Sequence, residues 1–301
     1  MNKAIAALCA LIAGCSFGVG GAISQVIRSH GFEVMHVILS QTIVGVIVLG
    51  ILLVVKFRQS IPLKDTVKLV VLGMVDVLAS ICYFFAIDML SVGTTVALQF
   101  QYVWMTVAFV AIADRRMPGK WTLVSSVLII AGSLMGSGLV DEAMAGAVTM
   151  DPLGLLLALG CALFYASFIF FNGRIATEFE PVPRAFYQTC GSLLTVVIAY
   201  FAMGTPPCDV VTLAPWGILM GFVMCVIPIL FIVIASTNLD GGLVSILTSS
   251  ELPMAVFSGY IILNETVTPL VIVGVVVILG SIALAQLDNR DGGAATVEEA
   301  L

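Results

Sequence analysis

Apolar blocks about twenty residues long can be placed ten times along this chain, at 4–26, 34–55, 67–87, 93–113, 121–140, 152–171, 185–203, 213–235, 242–263 and 268–287. About twenty residues of helix cover the hydrocarbon core of a bilayer. No other feature narrows the choice of fold so far. In hydrocarbon, backbone N–H and C=O groups must be paired within a helix or a closed barrel. A barrel would alternate apolar and polar residues over short segments, and these blocks are unbroken. With 60% of residues hydrophobic, 10% charged and a mean hydropathy of +1.17, the chain could not cover a soluble surface. It is expected to be an all-α integral membrane protein with ten transmembrane helices. Lys3 precedes the first block, but that block is too long for a signal-peptide core and counts as a span.

The basic residues set the orientation. With the N-terminus inside, Lys3, Lys56, Arg58, Lys64, Lys68, Arg115, Arg116, Lys120, Arg174, Arg184 and Arg290 fall on the cytoplasmic side, and Arg28 alone falls outside. This asymmetry follows the positive-inside rule and places both termini in the cytoplasm, as in a multi-pass protein of the bacterial inner (plasma) membrane. Connections such as RQSIPLKD and GTPPCD leave no room for a soluble domain. The net charge of −6 resides mostly in loops and in the tail DNRDGGAATVEEAL, residues 288–301, which reads as disordered. The seven cysteines show no CxxC pair and no metal-ligand spacing, so they read as small hydrophobes.

The two halves echo each other. Gly14-Cys15 is matched by Gly160-Cys161, Gln41-Thr42 by Gln188-Thr189, Ala86…Leu90 by Ala235…Leu239, and Ile130-Ala-Gly-Ser133 by Ile278-Leu-Gly-Ser281. The offsets stay between 146 and 149 residues. The expected units are therefore residues 1–140 and 141–287. Each holds five helices, an odd number, so the second must be inverted relative to the first, an arrangement that transporters use to switch a central site between sides.

The repeat ending ILNETVTPLVIVGVVVILGSIAL, with IADRRMPGKWTLVSSVLIIAGSLM at the end of the first half, resembles the EamA branch of the drug/metabolite transporter superfamily. The resemblance covers about residues 4–287. It implies a central cavity lined by both halves and an exporter of small metabolites, amino acids among them. The acidic residue usual in the turn is Glu265 in the second half, while Arg116 and Met117 stand there in the first, so no function is attached to that position.

Two carboxylates, Asp76 and Glu251, lie about ten residues into their spans, where a charge is expensive and usually functional. Glu251 shares a helical face with Ser245, Thr248, Ala255 and Ser258, and Pro253 and Pro228 are expected to break their helices. Thr95, Gln99, Tyr102 and Thr106 form one stripe on the fourth span. Gln41 and Gln188 occupy equivalent places in the second and seventh. The expected substrate-binding or coupling set is Glu251, Asp76, Gln41, Gln188, Gln99, Tyr102, Thr248, Tyr83, Tyr165 and Tyr187. Helix-tying hydrogen bonds are the competing role for the polar members, and plain packing is the competing role for the tyrosines and for Trp104 and Phe164. Gly14 and Gly18, and Gly132 and Gly136, have the spacing for close helix approach. His36 reads as an interfacial residue.

These residues point to a secondary transporter of small organic solutes working by alternating access, with protons as the candidate coupling ion. A polyspecific cationic-drug/proton antiporter is the second reading. A membrane-embedded enzyme is the third, without GxSxG, HExxH or GxGD motifs to support it. No nucleotide motif, cofactor, metal or nucleic-acid partner is indicated. The partners expected are the solute, protons and the lipid bilayer, and the chain supplies both halves of a site as a monomer or a homodimer.

Overall fold

The apolar blocks fold as helices, and polar caps set the start of several of them. A computed structural model describes the backbone of residues 2–57, 59–146, 148 and 151–298, with side chains through 287. The expected basic residue Arg58, the side chain of Arg290 and residues 299–301 lie outside the described residues. The first half comprises α1 (Lys3–Ser29), α2 (Val34–Val55), α3 (Leu63–Met89), α4 (Val92–Gln99), α5 (Tyr102–Asp114), α6 (Lys120–Gly136) and the short α7 (Leu139–Met144). The second comprises α8 (Pro152–Asn172), α9 (Pro181–Ala202), α10 (Val210–Met220), a π-helical turn (Gly221–Val226), α11 (Ile227–Asn238), α12 (Gly241–Thr248), α13 (Glu251–Leu263) and α14 (Pro269–Glu298). Asn2, Ser91, Asp151, Asp209 and Asp240 each cap a helix by accepting a backbone N–H of its first turn.

Among the described residues, nine helices are long and apolar enough to cross a membrane, counting α4–α5, α10–α11 and α12–α13 as single interrupted spans. The tenth, α6, has 17 residues. It stops short of the expected 140 because Gly138 takes φ 79°, a left-handed turn, before α7. At the other end of the chain, α14 runs through 288–298, where the sequence suggests a disordered tail. Elongating an existing helix adds one hydrogen bond per residue fixed, which is far easier than starting one.

Two spans are interrupted in register. α4 and α12 have 8 residues each, α5 and α13 have 13, and each later piece ends on a left-handed residue, Arg115 at φ 51° and Asn264 at φ 55°. All four boundaries differ by 149 residues. The break in the second half lies at Ser249–Ser250, not at Pro253, which is the third residue of α13, where a backbone N–H needs no intrahelical acceptor. Pro253 cannot donate to the Ser249 carbonyl, and the Leu252 N–H takes that place at 3.2 Å. The matching break at Phe100–Gln101 contains no proline at all. Pro228, the other expected break, instead follows the π-helical turn, where the backbone widens without parting. Here the Val223 carbonyl accepts the Ser16 hydroxyl of α1 at 2.5 Å.

Glycine lets the helices carrying the site touch backbone to backbone. A methyl on Gly14 would lie 3.0 Å from the Thr248 carbonyl carbon. One on Gly18 would lie 2.8 Å from Ala255 N and closer still to the Glu251 carbonyl oxygen. α1 thus rests on the interruption itself. Gly132 and Gly136 likewise meet Gly274 of α14, so both expected glycine pairs serve close packing.

Candidate functional site

A cavity of about 590 Å³ runs into the bundle between α1, α2, α3, α4, α8, α9, α11 and α13. Its rim includes the exposed residues Gln25, Arg28, Val92 and Glu265, and its depth reaches Asp76, Gln99, Tyr165 and Glu251. The rim thus joins the start of α4 to the end of α13, so the two interrupted spans run in opposite directions.

The interruption positions Glu251. As the first residue of α13, its carboxylate lies at a helix N-terminus, where the macrodipole favours negative charge. Gln99, the last residue of α4, donates Nε2–H to Glu251 Oε1 at 3.3 Å. Asp76 comes from the middle of α3 and has no hydrogen bond or ion pair among the described residues. The one arginine on the wall, Arg28, stands at the rim, 3.7 Å from Asp88. Three further wall atoms are buried without a protein partner: Ser24 Oγ, Gln41 Oε1 and the Tyr165 hydroxyl. Buried polar atoms are seldom left so. All three belong to residues that line this cavity.

The structure brings six of the ten expected residues to this wall: Glu251, Asp76, Gln41, Gln99, Tyr83 and Tyr165. Four are elsewhere. Tyr102 is fully buried, with its hydroxyl 3.3 Å from the Ser245 carbonyl and 3.2 Å from Thr248 Oγ1. Thr248 is itself buried and bonded back to Val244 and Ser245. The break after Gln99 changes the helical phase, so the stripe expected for a continuous helix does not hold beyond it. Gln188 donates to Asn172 Oδ1 at 2.9 Å, inside a buried cluster where Arg184 donates to Thr237 Oγ1 at 2.6 Å and the Asn172 carbonyl at 2.5 Å. At the 147-residue offset that relates Gln41 to Gln188, Asn172 corresponds to Gln25, which lines the cavity with Gln41 instead of holding it in a buried cluster. Tyr187 packs beside Ile61, Leu69 and Ala176. Of the bland assignments, Trp104 is exposed on the bundle surface, whereas His36 is buried and bonds Pro206 O at 2.7 Å.

Sequence reasoning missed Ser24, Arg28, Ser80 and Glu265. One signal was available: Asp76, Ser80, Tyr83 and Ile87 recur at helical spacing on α3, and all four line the cavity.

Below Tyr165 the cavity is floored by rings. Tyr165 meets Tyr102 edge-on with centroids 4.7 Å apart, and Phe168 stacks on it at 6.3 Å. Beyond this floor a second cavity of about 410 Å³ opens at the other end, lined by Val107, Val110, Asp114 and Arg116 from the end of α5, by Asp240 and Leu243 around the start of α12, and by Lys3. Shifted by 149 residues, Val107, Val110, Asp114 and Arg116 become Val256, Gly259, Leu263 and Glu265, all on the first cavity's wall. The two cavities are repeat-related, and only the first reaches Glu251.

No curated protein matches the chain. A solved structure, described as "Crystal structure of protein", is 15% identical, covers 96% of this chain and 98% of its own, and superposes with a TM-score of 0.74; at that identity the fold alone is shared. The family described as "EamA-like transporter family" matches twice, over residues 4–137 and 152–287. With both halves matched, and with inverted interrupted spans around one polar cavity, this multi-pass membrane protein belongs to the EamA-like transporter family.

Proposed function

We propose that the chain is a secondary transporter that moves small organic metabolites by alternating access, and that its solutes are amino acids or related compounds leaving a bacterial cell across the plasma membrane. The carrying observation is the pair of cavities, related by the repeat, unequal in depth and separated by the Tyr102–Tyr165–Phe168 floor. If the halves exchange conformations, the shallow side becomes the deep one, and a solute changes sides without a continuous channel. With the orientation read from the basic residues, the deep cavity faces outward. A monomer suffices, because one chain supplies both halves.

In this reading Glu251 is the coupling group. It takes up a proton in exchange for solute or pairs with a solute amine, with Asp76 on the opposite wall. Either role biases the two states only through a difference in affinity between them. Glu251→Gln keeps shape and a hydrogen-bonding head while removing the charge and the titration. In proteoliposomes it is expected to fold normally and lose uptake driven by a pH gradient; undiminished proton-driven transport would remove Glu251 from the mechanism. A counterflow screen against pooled metabolites identifies the solute without a guess about coupling.

A polyspecific antiporter of cationic drugs and protons is the second reading. It is favoured by the lining itself, with two deep carboxylates, aromatic walls and a single arginine paired at the rim. Dye efflux that depends on Asp76 and Glu251 would support it, and a small polar substrate would count against it. A membrane-embedded enzyme is disfavoured by membership of a transporter family, and turnover of a lipid or peptide would revive it.

A further inference from the structure

The second cavity differs from the first in charge. Its position 116 is arginine where the repeat partner is Glu265, and Lys3 adds a second cation from the start of α1. The cavity also holds two carboxylates, of which only Asp114 is ion-paired among the described residues. Asp114 Oδ1 accepts Arg174 Nη2 at 2.6 Å, and Asp240 Oδ1 accepts the Gly242 N–H at 2.8 Å as the cap of α12. Lys3 and Arg116 have no ion-pair partner among the described residues. The first cavity is the converse, since its arginine is paired with Asp88 while Asp76 has no partner and Glu251 has only an amide. One end of the pathway therefore offers two unpaired cations against one unpaired carboxylate, and the other offers carboxylates.

We propose that the vestibule holding Lys3 and Arg116 is a receiving site for the anionic end of the solute, a carboxylate or phosphate group held by the Lys3 ammonium and the Arg116 guanidinium. Arginine suits the role because its planar fork can meet two oxygens of one oxyanion, with the lysine as a point charge beside it. The assignment extends the transport reading above and sharpens its substrate class. A solute with an oxyanion at one end and an amine at the other finds matching groups at the two ends of the route, the oxyanion at Lys3 and Arg116 and the amine at Asp76 and Glu251.

The test is equilibrium binding to the purified full-length chain, with no gradient applied. Succinate and inorganic phosphate are titrated calorimetrically against protein in nanodiscs of phosphatidylcholine. A parallel arm presents phosphatidylglycerol in the nanodisc with no soluble anion. The expected result is saturable binding of a soluble anion, weakened about tenfold by Arg116→Gln or Lys3→Gln and lost in the double variant, since each removes one charge-assisted contact. Lys64→Gln, which alters an exposed cation outside the vestibule, should change nothing. Binding that survives the double variant, or its absence in the unaltered protein, overturns the site. Binding seen only with phosphatidylglycerol overturns the solute assignment in favour of a lipid headgroup. A failure of pH-driven transport leaves this result standing, and a failure here leaves the transport reading standing.

Discussion

Gly18→Ala should be destabilising even though alanine is the better helix former. The added methyl would lie 2.8 Å from Ala255 N and 2.9 Å from Met254 Cβ, and nearer still to the Glu251 carbonyl. Two of these three atoms are backbone, so no side chain can rotate away. Ordinary contact begins at 3.4 Å, so α1 and α13 must part by at least 0.6 Å (3.4 less 2.8). The Ser258 hydroxyl donates to the Gly18 carbonyl at 3.1 Å, and the same movement takes that bond to roughly 3.7 Å, beyond useful length. Overpacking costs about 1–3 kcal/mol. The lost hydrogen bond adds about 0.5–1.5 kcal/mol, and helix propensity returns about 1 kcal/mol. The net is roughly 2 kcal/mol of destabilisation. Gly21, one turn further along the same helix, has nothing within 4 Å of an added methyl, so Gly21→Ala should gain up to about 1 kcal/mol. Thermal unfolding followed by a fluorogenic maleimide reads both variants, because Cys161 and Cys225 are buried free thiols that label on unfolding. A melting temperature for Gly18→Ala at or above that of the unaltered protein, with Gly21→Ala no higher, would refute the argument that α1 rests on the interruption.

Pro253→Ala should leave the interruption at Ser249–Ser250 in place and retain at least about half of transport activity, because the repeat partner breaks at Phe100–Gln101 without a proline and Gly14 and Gly18 hold α1 against both sides of the gap; amide exchange slowed at Ser249 and Ser250 would show instead that the proline makes the break. Arg184→Ala removes two charge-assisted bonds from a fully buried cluster and should destabilise by about 3 kcal/mol or more, whereas Arg184→Met keeps the stem volume and should be milder; equal melting temperatures for the two would count against that reasoning. At the start of α10, the Thr212 hydroxyl and the Val211 N–H hold the Asp209 carboxyl below its usual range. Its contribution is thus present above the ordinary carboxylate pKa and is lost as pH falls through the lowered one, so Asp209→Ala should lower the melting temperature at neutral pH and not in strong acid.

The ten spans were legible because a bilayer demands long apolar helices, and the repeat was legible because motifs such as Gly160-Cys161 recur at a steady offset. The wall of the cavity was only partly legible. Asp76, Gln99 and Glu251 could be found because a carboxyl or amide at mid-depth is expensive without a purpose. Tyr102 and Thr248 were misplaced for a geometric reason, since periodicity assumes a continuous helix and theirs is interrupted. Gln188 was misplaced because its partner, Asn172, lies on another helix, a contact that spacing along the chain does not show. Arg28 and Glu265 were visible as charges at span ends, but only the fold shows that they share a rim.

The interruptions divide two tasks between the same positions. Backbone features repeat closely: pieces of 8 and 13 residues, one offset of 149, and left-handed ends at Arg115 and Asn264. Side chains at matched positions do not repeat. Tyr102 stands where the second half has Glu251, and Arg116 stands where it has Glu265. In the proposed alternating-access reading, a symmetric backbone brings the two exchanged arrangements close in energy, because each half then meets packing that the other half already satisfies. Moving such a balance fully from one state to the other takes about 5.5 kcal/mol of differential binding. An asymmetric set of side chains at those positions makes the two ends of the route chemically distinct. In that reading the first property lowers the differential binding a solute must supply, and the second lets each end favour a different part of the solute.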